Sequence, residues 1–231
     1  MISFVVPAHN EARYIQDCLR SIRAAAAPLA LDYEIIVAND ASSDATGGIA
    51  RAEGACVIDV ELRHIAAVRN AGAREARGDR LFFVDADSKL NEALLRAAMA
   101  ELDRGAVGGG AAVRYDEPVP RWAEVSTGLV VRFMQAMQYA AGSFVFCRRD
   151  AFERVGGFDE AYFAGEEIAL SRALKKQGRF VVLPLALVTS PRKLAGRTVW
   201  QMLGVVAKLG LRGRGALRRR EHLDFWYRDR R

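Results

Sequence analysis

The sequence predicts an α/β protein with a mostly parallel central sheet and helices on both faces. Three observations lead there. Short β-branched or aromatic runs alternate with helical patterns through the first half of the 231 residues, the pattern of parallel strands joined by crossover helices. The runs Phe4-Val5-Val6, Ile35-Ile36-Val37 and Leu81-Phe82-Phe83-Val84 are apolar throughout, as strands covered on both faces are. Each of these runs leads into polar residues: His9-Asn10-Glu11, Asn39-Asp40 and Asp85-Ala86-Asp87. Ligands of open α/β sheets bind beyond the carboxyl ends of the strands, so three such clusters predict one shared site.

In chain order, residues 2–6, 33–38, 56–60 and 80–84 read as strands because they are short, apolar and rich in β-branched or aromatic side chains. Residues 13–25, 44–52, 65–76 and 91–103 between and after them carry helical spacing. The second half is less regular. A Gly-rich strand is expected over 107–114, a helix over 121–139, a strand over 143–147 and a helix starting near Glu166. Pro184 and Pro191 then punctuate short extended pieces. With no repeat and no low-complexity linker, 1–190 is expected to form one domain and 191–231 a basic helical extension.

The balance of 34 Lys and Arg against 28 Asp and Glu gives +6, which hints at nucleic acid until it is split along the chain. Residues 1–191 hold 22 basic and 25 acidic side chains, whereas 192–231 hold 12 and 3. The main body is therefore −3 and the tail +9. A nucleic-acid reader needs a basic face with interleaved aromatics, so nucleic acid is not an expected partner. At 51% hydrophobic and 27% charged, the composition excludes disordered and fibrous classes. Cys18, Cys56 and Cys147 are odd in number and far apart, which argues against a disulfide framework or zinc knuckle and for thiols in a reducing compartment. No signal-peptide pattern opens the chain, and the most apolar stretch, 198–211, holds Lys208 and two glycines. The expectation is a cytoplasmic protein that does not cross a membrane.

Asp85-Ala86-Asp87 is the sharpest chemical feature. Two carboxylates flanking one residue after an apolar strand can hold a hard divalent cation that shares phosphate oxygens with a ligand. The alternative is a pair of solvated turn carboxylates. Asp40, at a strand end beside a turn rich in Ser and Asp, can accept a hydrogen bond from a base N–H or a ribose hydroxyl.

Together, the motifs resemble the inverting glycosyltransferases of family 2, which have the GT-A fold. The carrying segments are Phe4-Val5-Val6-Pro7-Ala8-His9-Asn10-Glu11, the run from Glu34 to Thr46, Arg69-Asn70-Ala71-Gly72, Ala76-Arg77-Gly78-Asp79 leading into Val84-Asp85-Ala86-Asp87, and Gly156-Gly157-Phe158-Asp159-Glu160 followed by Gly165-Glu166-Glu167. Five ordered matches are more specific than any one of them. The resemblance implies that residues 1–105 form a nucleotide-sugar-binding half and 106–190 an acceptor-side half. It implies a UDP- or GDP-sugar donor, Mg²⁺ or Mn²⁺, and transfer to an acceptor hydroxyl, with a lipid-linked acceptor among the options.

By the same resemblance, Pro7, Ala8, His9 and Glu11 lie under the base, Asp40 contacts it, and Arg69 reaches a phosphate. Asp87 chiefly holds the metal, while Asp85 and Ala86 line the donor. Glu167, or Glu166 beside it, takes the acceptor proton. Three departures stand out: His9 replaces an aromatic, Asn39 replaces an Asp, and Glu167 replaces the usual shorter Asp. Arg192 and Lys193 follow the last strand, where a loop could grip the diphosphate. The segment 198–220 mixes apolar and basic residues as a helix lying on an anionic bilayer does. Two other readings remain. One is a haloacid-dehalogenase-type phosphatase, whose DxD belongs near its first strand. The other is a non-catalytic nucleotide-sugar or nucleic-acid binding module. A dinucleotide oxidoreductase is disfavoured, because the first turn lacks glycines.

Overall fold

The computed structural model describes residues 1–140 and 142–191. The strands are β1 (Ile2–Ala8), β2 (Tyr33–Asp40), β3 (Cys56–Val60), β4 (Arg80–Val84), β5 (Ser88–Lys89), β6 (Gly108–Tyr115), β7 (Phe144–Arg148) and β8 (Phe180–Thr189). The helices are α1 (Ile15–Ala26), α2 (Thr46–Ala52), α3 (Ile65–Glu75), α4 (Glu92–Asp103), α5 (Arg121–Ala136), α6 (Arg149–Arg154) and α7 (Glu166–Lys175), with a 3-10 turn at Ala27–Leu29. All strands join one sheet in the order β3-β2-β1-β4-β7-β6-β8-β5. Strands β1 to β4 are mutually parallel, β7 runs against β4 and β6, and β8 lies parallel to β6. The sheet is continuous, and β5, from the first half of the chain, lies at its far edge beside β8.

Strand alternation splits the core between the faces. Phe4, Val6, Phe82 and Val84 pack with Ile15, Leu19, Leu94 and Leu95 of α1 and α4. Val5, Leu81 and Phe83 pack with Phe152, Phe158, Leu170 and Leu174 on the other face. This two-sided burial is why the strands carry no polar alternation. Helix α1 buries Ile15, Cys18, Leu19, Ile22, Ala25 and Ala26, the spacing of one helical face. Helix α4 starts where Asn91 Oδ1 accepts from the Leu94 N–H at 2.9 Å, a side-chain cap.

Several boundaries differ from expectation for identifiable reasons. β1 continues through Pro7 and Ala8, which pair with Ala38 and Asn39. Helix α1 starts two residues late because the Glu11 and Ala12 N–H groups are held by Thr46 Oγ1 at 2.7 Å and Asp44 Oδ2 at 3.1 Å. The extended pieces around Pro184 are one strand, β8, whose register jumps between Ala111 and Ala112 so that Pro184 and Leu185 bulge out. A proline with no N–H to donate is tolerated at such a bulge. Helix α6 and the two-residue β5 had no sequence signal of their own. Among the described residues, no helix is long and apolar enough to cross a membrane.

Candidate active site

The carboxyl ends of β1, β2, β4 and β8 bring the polar clusters to one end of the sheet, as expected. The loop after β1 is latched to the loop after β2. Asn10, at φ 54°, accepts from the Ser43 N–H at 2.8 Å, and its own N–H donates to Ser42 Oγ at 2.9 Å. His9 Nδ1 bonds the Asp40 carbonyl oxygen. Asp40 is 1% exposed. Its Oδ1 accepts from the Leu62 and Arg63 N–H groups at 2.8 and 2.9 Å, and its buried Oδ2 has no donor among the described residues. A buried acceptor without a donor is costly, and an N–H or O–H of a ligand would satisfy this one. Asn39 instead binds Asp59, with Nδ2 donating to Oδ1 at 2.7 Å.

Asp85, Ala86 and Asp87 form the turn between β4 and β5. Ala86 is buried in the core, so it contributes backbone rather than side chain. Asp87 is also buried and accepts from the Thr189 hydroxyl at 3.4 Å, while its carbonyl accepts from the Ser190 N–H at 3.1 Å. Strand β5 creates this contact, pairing Ser88 with Thr189 and so carrying the end of β8 to the Asp pair. Thr189 and Ser190 are not among the site residues expected from the sequence, which carries no local signal for this contact.

Arg69 is the hub. Expected as a phosphate ligand from α3, it is 2% exposed. Nη1 donates to Glu166 Oε1 at 2.6 Å, and Nη2 donates to Asp85 Oδ1 and to the Gly142 carbonyl oxygen, each at 2.8 Å. The guanidinium also lies 5.3 Å from the centre of the Phe158 ring. Burial alone would weaken its hold on the proton, but Asp85, Glu166 and Glu167 outweigh burial and tighten it. Next to it, Asn70 clasps the loop between α6 and α7: Nδ2 donates to the Phe158 carbonyl and Glu160 Oε1, and Oδ1 accepts from the Phe158 N–H, all at 2.9 Å. The loop approaches this closely because Gly157, at φ 76°, has no side chain; a Cβ there would sit 2.7 Å from Asn70 Oδ1.

Glu166 and Glu167 open α7. Glu166 is buried on Arg69, whereas Glu167 is half-buried, with the Gly142 backbone against its carboxyl group. Burial, and then repulsion from Glu166, pushes Glu167 up to about 8, with Arg69 opposing the shift. A carboxylate that titrates near neutrality is suited to moving protons.

Among the described residues, no three acidic, His or Cys side chains cluster as a closed metal cage. Two hard carboxylates without a third fit Mg²⁺ or Mn²⁺, ions that are held by one or two carboxylates together with waters and substrate phosphates. Arg192, Lys193 and the 198–220 segment lie outside the described residues.

The family model of glycosyl transferase family 2 matches residues 3–156. The chain belongs to this family. As a family 2 chain it is 26% identical over 187 residues to glycosyltransferase AglE of Haloferax volcanii, covering 72% of this chain and 59% of that protein. It is 29% identical over 141 residues to the undecaprenyl-phosphate 4-deoxy-4-formamido-L-arabinose transferase of Pseudomonas fluorescens, covering 57% and 41%. The chain therefore spans between two fifths and three fifths of these curated relatives. Its fold is GT-A, shared with the mannosyltransferase PcManGT from Pyrobaculum calidifontis, solved with GDP-Man and Mn²⁺. That match has a TM-score of 0.71 at 22% identity, over 92% of this chain and 65% of that one. S. aureus TarS 1–349 in complex with UDP matches at 0.62 and 20%, over 82% and 60%. Glu166 and Glu167 lie beyond the residues matched by the family model.

Proposed function

We propose that this chain is a glycosyltransferase that moves a sugar from a nucleoside-diphosphate sugar to an acceptor hydroxyl, by a single displacement that inverts the anomeric centre. The observation that carries the reading is the Arg69 bridge. One buried guanidinium binds both Asp85 of the diphosphate-side turn and Glu166 of the acceptor-side helix, so donor and acceptor groups belong to one centre.

In this reading Asp40 Oδ2 accepts a hydrogen bond from the nucleoside, and His9, held against Asp40, packs by the base. Asp87 and Asp85 are the residues that would hold Mg²⁺ or Mn²⁺. When bound, the cation neutralises charge on the departing diphosphate. Glu167 takes the proton of the acceptor hydroxyl as its oxygen attacks, and Glu166 stays paired with Arg69. That division assigns the base to the carboxylate not engaged by the guanidinium. The relatives support the donor class, since PcManGT was solved with GDP-Man and TarS with UDP. A relative named for undecaprenyl phosphate supports a lipid-linked acceptor.

The test is a screen of UDP- and GDP-sugars that follows release of nucleoside diphosphate with Mn²⁺ or Mg²⁺. Release with at least one donor, lost on chelation, is expected. No release from any donor with either ion, under conditions where the donor binds, would leave a binding module and contradict the proposal.

A further inference from the structure

Val125, Leu129, Phe133 and Met137 recur every fourth residue along and just past α5 and are 62, 62, 60 and 44% exposed. Beyond these four, only Met1, Leu62 and Leu185 are exposed large apolar side chains among the described residues. At about 100° per residue, a step of four advances by only about 40°, so the four form one continuous stripe. Helix α5 packs against β6 and β8, with Ala123 buried. Scattered exposed apolar residues are ordinary; a contiguous row of them marks an interaction face.

The charges beside the stripe are positive. Arg121 and Arg132 are exposed along one margin, with Glu124 farther round. At the Met137 end, Arg172 donates to the Tyr139 hydroxyl at 3.0 Å, and Lys175 Nζ bonds the Met137 carbonyl while lying 4.3 Å from the Tyr139 ring centre. Residues 192–231, which add +9, follow directly from the end of β8, a strand that α5 packs against.

We infer that α5 is the face by which this protein lies on an anionic lipid bilayer, with the Val125–Met137 stripe in the acyl boundary and Arg121 and Arg132 at the phosphates. An apolar stripe flanked by arginines complements a surface that is apolar inside and anionic outside. A second copy or the +9 segment of the same chain would bring like charge against that flank. The position also fits a role in presenting an acceptor. Thr127 on α5 bonds Tyr115 at 3.2 Å, and Tyr115 pairs with Thr189, the partner of Asp87. Past the other end of α5, Gly142 lies against Glu167 and bonds Arg69. The inference goes beyond the transfer reading and does not require it, because partitioning is measured without donor or acceptor.

The test floats the full chain with vesicles of phosphatidylcholine alone or phosphatidylcholine mixed with phosphatidylglycerol, comparing wild type with the double variant Leu129→Ser, Phe133→Ser. Wild type is expected to partition onto the mixed vesicles, and the variant about tenfold or more weakly, with an unchanged melting midpoint since both side chains are exposed. Equal partitioning of the two proteins would overturn the inference. A second probe places an environment-sensitive dye at Phe133→Cys in a Cys56→Ser background, because Cys18 and Cys147 are buried. A blue shift only on adding mixed vesicles supports bilayer docking. A dye already blue-shifted without vesicles at every protein concentration means that the chain's own segment covers α5. A shift that grows with protein concentration means a second copy does. Either result overturns the inference.

Discussion

The two ends of the sheet are held together differently. On the β1–β4 side, the site is shaped by backbone and by neighbouring loops: Asn10 on Ser42 and Ser43, Thr46 on Glu11, and backbone N–H groups on Asp40. On the β6–β8 side, the loops are positioned by buried side chains from the first half, Arg69 and Asn70 of α3 reaching residues 88 to 97 positions away. The β1–β4 end is thus held by contacts among its own loops, whereas the loops at the β6–β8 end are held by side chains that reach across from α3. Damage to α3 should therefore propagate into the acceptor side more than into the nucleoside loop.

The largest effect should come from the Asp pair. Asp87→Ala should reduce donor affinity measured with Mn²⁺ to the level seen with chelator, while the Asp40 loop stays folded; calorimetric donor titration with and without chelator checks this. Unchanged affinity would break the metal assignment. Next, Arg69→Met should lower stability by about 3–5 kcal/mol, because Asp85 and Glu166 would lose their buried partner. Denaturant unfolding measures this, and a loss below about 1 kcal/mol would show that the bridge is not what joins the two ends.

Asn70→Ala should cost less, about 1–3 kcal/mol, the penalty for a buried Phe158 N–H left without an acceptor. It should raise the KM for acceptor more than the KM for donor. The pH response should be smaller still. Glu167 keeps its proton in the folded state from its ordinary 4.5 up to about 8, where the unfolded chain has released it. The folded state then holds the extra proton, so this group makes stability fall as pH rises across that window. Glu167→Gln should flatten that slope. Transfer should rise with pH until Glu167 ionises, since the base must be deprotonated.

Much of the donor side was legible because its signals are contiguous. Apolar runs ending in polar residues at Asp40 and Asp85 are local patterns, and the strands lie where those runs lie. The acceptor side is legible mainly through the Gly156-Gly157-Phe158-Asp159-Glu160 segment, and only by resemblance. No local pattern could show that Arg69 is buried between Asp85 and Glu166, since a helix arginine looks the same whether solvated or paired. Nor could it show β5, whose two residues become a strand only because β8 arrives beside them. Pro184 looked like a break but marks a bulge, because the rest of β8 still pairs with β6.

The most direct measurement compares donor affinity and transfer rate in Glu167→Gln with those of wild type, using a donor and acceptor found by the screen. Donor affinity within about twofold of wild type and transfer slowed about 10²–10⁴-fold, the usual worth of a general base, is the predicted result. Transfer within about tenfold of wild type, at unchanged donor affinity, would contradict the assignment of Glu167 as the residue that takes the acceptor's proton.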